Sequence, residues 1–104
     1  MPSTLAKTKT GIGSQAKIWN DNGHFMVQLH STVVYDENNL IVKLNNGGWI
    51  TQTTARYMTQ ALRHRNIDGY VAIRKGVMVY GAQGIDEKPF DGNTFVIPLI
   101  KAVA

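Results

Sequence analysis

Apolar and polar residues alternate in short runs over the first half of the chain, a pattern typical of β-strands. Phe25, Val27 and Leu29 alternate with other residues, so their side chains should share one face of a strand. Clusters of Asp, Asn and Gly interrupt the runs, and Asn22-Gly23 is a strong hairpin signal. The pattern predicts strands over residues 15–20, 24–34 and 40–44.

The middle of the chain has a helical spacing instead. Four apolar residues recur at intervals that form one stripe of an α-helix: Ala55, Met58, Ala61 and Leu62. Thr51 or Thr53 can cap the start of this helix, because a threonine oxygen accepts from an unpaired N–H of the first turn. The helix should run to about Arg65, and Asn66 suits the left-handed residue that commonly follows a helix.

The last third of the chain contains the clearest hairpin signal. Residues 69–74 and 77–80 are apolar runs separated by the two-residue turn Lys75-Gly76. Residues 81–93 are mostly polar and predict a loop. The chain thus predicts strands, one helix, a hairpin and a last strand.

The last predicted strand, residues 94–103, is apolar on both faces. Pro98 lacks a backbone N–H, so it favours an edge position in the sheet. An edge strand with two apolar faces predicts a homo-oligomer that pairs through this strand. The alternative is an inner strand that the rest of the chain covers.

The predicted fold class follows from the order of these elements. Short turns favour antiparallel pairing, so we expect an α+β fold with a mainly antiparallel sheet of about five or six short strands and one central helix packed on it. Residues 1–14 are polar, lack a strand or helix period and carry Lys7 and Lys9, which predicts a flexible basic arm. Residues 15–104 then form a single domain.

Composition narrows the class of protein further. The chain has 43% hydrophobic and 17% charged residues, as expected of a folded protein, and no cysteine. Disulfides, thiolate chemistry and Cys-based zinc sites are therefore excluded. No apolar run reaches the roughly 18 residues that a membrane span needs, and residues 1–10 lack the apolar core of a signal peptide. We expect an intracellular protein without a membrane partner.

Positive charge is unevenly distributed along the chain. The net charge is +4 and the isoelectric point is about 9.6, a first indication of a nucleic-acid binder. Residues 1–19 carry three lysines and no acid: Lys7, Lys9 and Lys17. Residues 51–75 carry five cations against Asp68 alone: Arg56, Arg63, Arg65, Arg74 and Lys75. Phosphate recognition suits these residues, and a solvated helix face is the simpler alternative.

The segment LNNGGWITQTTARYMTQ at residues 44–60 resembles short bacteriophage proteins of unassigned function. In those proteins a strand runs into Gly-Gly-Trp, then Thr-x-Thr-Thr and an Arg-bearing helix, and a hairpin with Lys-Gly at its turn follows. The resemblance covers roughly residues 29–80; Thr59 and Met78 depart from it. It implies a phage origin and a place of action in the cytoplasm of the infected bacterium, but no activity.

The same segment has a physical interpretation of its own. Gly47-Gly48 permits positive φ or a close approach to a ligand. Thr51, Thr53 and Thr54 lie at the predicted helix start, where N–H groups and the helix dipole favour an anion. Arg56 follows in the helix, and Trp49 can stack on a base. The alternative is structural, with a bend at the glycines, a threonine cap and Trp49 in the core.

The sequence offers no recognisable catalytic or metal-binding pattern. His24 and His30 are six residues apart on one predicted strand, roughly 20 Å, which is too far to share a metal ion. Gly11-Ile12-Gly13 with Lys17 lacks the Gly-Lys-Ser/Thr ending of a phosphate-binding loop. We expect neither an enzyme nor a cofactor, although a site assembled from distant residues stays open.

The leading hypothesis is a non-enzymatic phage protein that binds nucleic acid, prefers single-stranded DNA, and acts as a cofactor of replication or transcription. The expected binding residues are Lys7, Lys9, Lys17, Trp49, Thr51, Thr53, Thr54, Arg56, Arg63, Arg65, Arg74 and Lys75. Two alternatives use the same charge: a phage inhibitor that binds a host protein, and a protein that sequesters a small anion or nucleotide.

Overall fold

The computed structural model describes residues 15–99, which form eight strands and one helix. In chain order these are β1 (Ala16–Asp21), β2 (His24–Leu29), β3 (Thr32–Glu37), β4 (Ile41–Asn45), α1 (Gln52–His64), β5 (Tyr70–Arg74), β6 (Val77–Ala82), β7 (Ile85–Pro89) and β8 (Thr94–Pro98). The predicted arm, residues 1–14, lies outside the described residues, and so does the end of the predicted last strand.

The strands form two antiparallel sheets. The large sheet has the order β1-β2-β3-β4-β8, and the small sheet has the order β5-β6-β7. Helix α1 packs on β2 and β3 of the large sheet and along β5 of the small one. The predicted α+β class with a single helix packed on an antiparallel sheet is confirmed. The strands number eight rather than five or six, because two predicted segments were interpreted wrongly.

The first of these is residues 24–34, which form two strands rather than one. They turn back at His30-Ser31, where His30 has a φ of 58°, and the β2–β3 register shifts between Val27 and Gln28. A positive φ is uncommon for residues other than glycine, although histidine is among those that adopt it more readily. The turn was missed because no glycine or Asn-Gly pair marks it.

The second is the predicted loop 81–93, which contains the edge strand β7. Strand β7 pairs with β6 across the Gln83-Gly84 turn. Its sequence, IDEKP, is largely solvent-exposed and ends in a proline, so it has neither apolar alternation nor strong β-propensity. Strand β7 therefore depends on its hydrogen bonds with β6, which the local sequence does not indicate.

Helix α1 has the ends that the sequence predicts. Thr51 is the N-cap, and its Oγ1 accepts from the backbone N–H of Thr54 at 3.2 Å. At the other end, Asn66 has a φ of 59°. Asn66 N–H bonds to the Arg63 carbonyl, and Ile67 N–H reaches back to the Leu62 carbonyl at 2.9 Å, the two bonds of a Schellman motif.

Replacing the cap should destabilise the protein measurably. We expect Thr51→Ala to lower the free energy of unfolding by about 1 kcal/mol, because Thr54 N–H loses its acceptor at the start of the helix. Thr51→Ser keeps the oxygen and should cost less. Urea denaturation followed by circular dichroism measures both variants, and equal losses would contradict a capping role.

The core lies between α1 and the inner face of the large sheet and continues under the small sheet. The helix buries one face, made of Thr54, Ala55, Tyr57, Met58, Ala61 and Leu62. Thr59 connects the helix to β5, because its Oγ1 accepts from Val71 N–H at 2.9 Å and donates to the Ala55 carbonyl. Helix α1 therefore covers the large sheet and also supplies a hydrogen-bond partner for Val71 at the edge of β5.

Strand β8 lies at an edge of the large sheet, as Pro98 predicted. On its outward side Val96 is 47% exposed, while Ile97 is buried against the core. The predicted pairing of a second copy with this edge stays a prediction. Among residues 15–99, the helix α1 is not long and apolar enough to cross a membrane.

Candidate nucleic-acid interface

A pocket of about 300 Å³ opens where the start of α1 meets the ends of β2, β3 and β4. It is lined by Gln15, Leu29, His30, Thr32, Val34, Asn46, Trp49, Thr51, Thr53 and Thr54. Four of these are residues that the sequence assigned to nucleic-acid binding, namely Trp49, Thr51, Thr53 and Thr54. The structure therefore brings the Gly-Gly-Trp segment and the threonines to one concave surface.

The Asn45–Gly48 turn forms one wall of the pocket. Asn46 is 1% exposed, and its Oδ1 accepts from Gly48 N–H at 2.8 Å. Gly47 has a φ of 59°, and a Cβ built there would lie 2.8 Å from Thr32 Oγ1. Glycine is needed at this position for two reasons, the positive φ and the close approach to β3.

The three threonines at the helix start differ in their environment. Thr51 is the cap, and its hydroxyl also lies 3.0 Å from the hydroxyl of Thr54, which is 3% exposed. Thr53 is half-buried at the pocket edge. Within residues 15–99, the backbone N–H groups of Gln52 and Thr53 have no acceptor, as is usual in the first turn of a helix.

Trp49 is 57% exposed on the pocket rim. Its backbone N–H donates to the Asn46 carbonyl at 2.8 Å, which fixes the chain but leaves the indole at the surface. The part of the structural alternative that places Trp49 in the core is therefore wrong, whereas its bend at the glycines and its threonine cap are both present. The role of Trp49 in stacking on a base stays a prediction.

Arg56 and Arg63 lie on the outward side of α1. Seven residues separate them, so they project within about 20° of each other and lie about 10 Å apart along the helix axis. Both side chains are exposed, and neither forms a salt bridge with any residue in the range 15–99. These two guanidinium groups are available to an anionic ligand.

Arg65, the third arginine of the helical segment, is held by the large sheet. Its Nε donates to Glu37 Oε1 at 2.9 Å, and its Nη2 donates to Glu37 Oε2 at 3.2 Å. The central carbon of the guanidinium group lies 4.4 Å from the centre of the Phe25 ring. The hydrogen bonds to Glu37 raise the pKa of Arg65. Glu37 also accepts from the buried Tyr35 hydroxyl, and burial raises the pKa of Tyr35 far above its usual range. Arg65 thus anchors the helix end.

Arg74 is paired in the same way on the outer face of the small sheet. It donates two hydrogen bonds to Glu87, at 3.0 and 2.8 Å, and Tyr70 donates a third at 2.6 Å. These bonds hold the pKa of the Glu87 carboxyl below its ordinary value. The paired carboxylate offsets the charge that Arg74 was expected to present to phosphate.

The predicted lysines are divided among different surfaces. Lys75 occupies the β5–β6 turn with a φ of 53° and is exposed beside Gly76, as the two-residue turn predicted. Lys17 is exposed between the buried Ala16 and Ile18, so it lies on the face of the large sheet opposite α1. Lys7 and Lys9 lie outside the described residues.

Several pocket residues were not expected to take part in binding. Gln15 precedes β1, His30 follows β2 and Thr32 begins β3, and no local motif marks them. Asn46 was visible in the Asn-Asn-Gly-Gly run, but that run indicated only a turn. Chain folding around the β2–β3 turn is what brings these side chains to the threonines.

No match is found when the chain is compared with protein-family models, with curated proteins and with solved structures. Among residues 15–99, no group of three or more His, Asp or Glu side chains is arranged to hold a metal ion.

Proposed function

We propose that this protein is a non-enzymatic binder of single-stranded nucleic acid, with DNA as the preferred ligand. The observation that carries the proposal is Trp49, a large aromatic side chain that is 57% exposed at the rim of a pocket. Exposed aromatic rings beside cations are the means by which single-strand binders hold unpaired bases without a sequence code. Arg56 lies in the first turns of the helix whose start lines the same pocket.

The unpaired arginines supply the charge that such a ligand needs. Arg56 follows the pocket residue Thr53 by three positions on the helix, and with Arg63 two turns later it forms a short basic stripe. Arginine suits phosphate oxygens because its planar group donates in pairs. Lys75 in the β5–β6 turn, and Lys7 and Lys9 of the predicted arm, would add long-range attraction to a polyanion.

The biological setting in this proposal comes from the resemblance of residues 29–80 to short phage proteins. A small binder of single strands made in an infected bacterium would act in the host cytoplasm as a cofactor of replication or transcription, processes that expose single-stranded DNA. The formal net charge of +4 supports attraction to a polyanion rather than to a particular sequence.

Fluorescence anisotropy with labelled single- and double-stranded oligonucleotides at two salt concentrations tests the proposal. We expect micromolar or tighter binding of the single strand, weaker binding of the duplex, and a steep loss of affinity with salt. An absence of binding at low salt would overturn the proposal. Capture of a bacterial protein that resists nuclease treatment would then favour the alternative of a host-protein inhibitor.

Removing the exposed ring should weaken binding without unfolding the protein. We expect Trp49→Leu to lower single-strand affinity roughly 10-fold, since base stacking on an aromatic contributes about 1–3 kcal/mol. Trp19→Leu is the matched control, because Trp19 lies on β1 beyond the pocket lining. Equal affinities of the Trp49 variant and the unmodified protein would exclude stacking at this rim.

A further inference from the structure

We propose that the pocket beside Trp49 receives one unstacked nucleobase of the bound strand. This inference rests on the proposed function and adds the class of group that the pocket recognises. The pocket measures about 300 Å³, the lower end of the roughly 300–1,000 Å³ typical of small-molecule sites. That volume is large enough for a single base.

The lining has the mixed character that a base requires. Leu29 and Val34 supply apolar wall, and Trp49 supplies an aromatic surface at the mouth. A nucleobase has an apolar planar face and an edge of hydrogen-bond donors and acceptors, so proteins bind it by stacking and by a few polar contacts. The amides and hydroxyls around this pocket provide both hydrogen-bond donors and hydrogen-bond acceptors.

Asn46 is the central polar group of the pocket. Among residues 15–99 the buried polar side chains are Asn46 and Thr54, and both line this pocket. The Asn46 amide nitrogen donates to the sulfur of Met78 at 3.6 Å, a weak acceptor. An amide nitrogen carries two hydrogens, so a second donor remains for a base carbonyl or ring nitrogen.

His30 adds an exposed imidazole at the pocket edge. Its φ of 58° belongs to the two-residue turn between β2 and β3, and this turn places the ring beside the pocket. The His30 ring can donate or accept a hydrogen bond and so can contact the edge of a base in the pocket.

The first test uses the unmodified protein and follows amide and indole signals by NMR. The ligands are the four uncharged deoxynucleosides and, separately, inorganic phosphate, each at millimolar concentration. We expect the nucleosides to shift the signals of Trp49, Thr53 and Thr54, to different extents for different bases, and phosphate to leave them unchanged. Shifts with phosphate alone would overturn the inference, because the pocket would then bind the backbone instead.

The second test fills the pocket. Thr53→Leu places a larger side chain at its half-buried edge, and Gln52→Leu makes the same kind of change at the exposed neighbour, which does not line the pocket. We expect Thr53→Leu to lower single-strand affinity roughly 10-fold with no change in salt dependence, since it removes a base contact and no phosphate contact. Gln52→Leu should leave both unchanged.

The outcomes separate this inference from the proposed function. If the oligonucleotide binds but the nucleosides cause no shift and Thr53→Leu has no effect, the pocket assignment fails and single-strand binding stands. If no oligonucleotide binds, the proposed function fails, and silent nucleosides would then reject the pocket as well. Nucleoside shifts in the absence of oligonucleotide binding would support the pocket as a base site by itself.

Discussion

Reversing the charge of both unpaired helix arginines, Arg56→Glu with Arg63→Glu, should lower the affinity for single-stranded DNA about 100-fold at roughly 0.1 M salt. Both side chains are exposed on the same side of α1 and form no salt bridge within residues 15–99. Each reversal replaces an attraction to phosphate with a repulsion. A loss of about 100-fold corresponds to roughly 2.7 kcal/mol of binding free energy.

The salt dependence separates local contacts from net charge. Two lost phosphate contacts should reduce the slope of log affinity against log salt by about 1.4, at roughly 0.7 per contact for a single strand. Lys43→Glu with Lys88→Glu is the matched control, since both lysines are exposed on strands away from the pocket. This control changes the net charge by the same amount as the arginine double variant, and we expect it to reduce the affinity far less.

Equal losses in the two double variants would mean that overall charge, rather than the α1 stripe, attracts the ligand.

Arg65→Glu should behave differently from the Arg56 and Arg63 variants. It would break the two hydrogen bonds with Glu37 and leave two carboxylates together, so it should reduce stability rather than affinity alone. A stable Arg65 variant with greatly reduced binding would contradict the anchoring role assigned to that residue.

The largest expected effect on stability comes from Gly69→Ala, for which we predict a loss of about 3 kcal/mol in the free energy of unfolding. Gly69 has a φ of 137°, and a Cβ built there would lie 2.4 Å from the hydroxyl oxygen of Tyr80. The Tyr80 ring cannot readily move away. It is 5% exposed, stacks on Phe95 at 5.0 Å and donates to the Asp68 carbonyl at 2.7 Å.

Gly76→Ala provides the control for backbone strain. Gly76 also has a positive φ, 79°, but a Cβ there would meet nothing within 4 Å. Gly76→Ala should therefore lower the free energy of unfolding by about 1 kcal/mol, which is the cost of placing an alanine in a left-handed conformation. Urea denaturation followed by circular dichroism compares the two variants. Losses of similar size would show that the contact with Tyr80 does not constrain the β5–β6 region.

Much of the fold could be predicted because its signals are local. The α1 cap, the left-handed Asn66 and the Lys75-Gly76 turn depend on residues within a few positions of one another. The β2–β3 turn and β7 could not be predicted in this way. No glycine or Asn-Gly pair marks the turn at His30-Ser31, and β7 is a strand because it pairs with the edge of β6, not because its own residues prefer that state.

The candidate site shows the same difference between local signals and long-range contacts. By itself the sequence determined that Trp49 and the threonines adjoin the helix start, since they are neighbours in the chain. Only the tertiary structure decided which cations are available. Glu37 reaches Arg65 across 28 positions and Glu87 reaches Arg74 across 13, so these pairings depend on how the sheets are assembled. Charge counted along a chain cannot anticipate partners that folding brings from so far away.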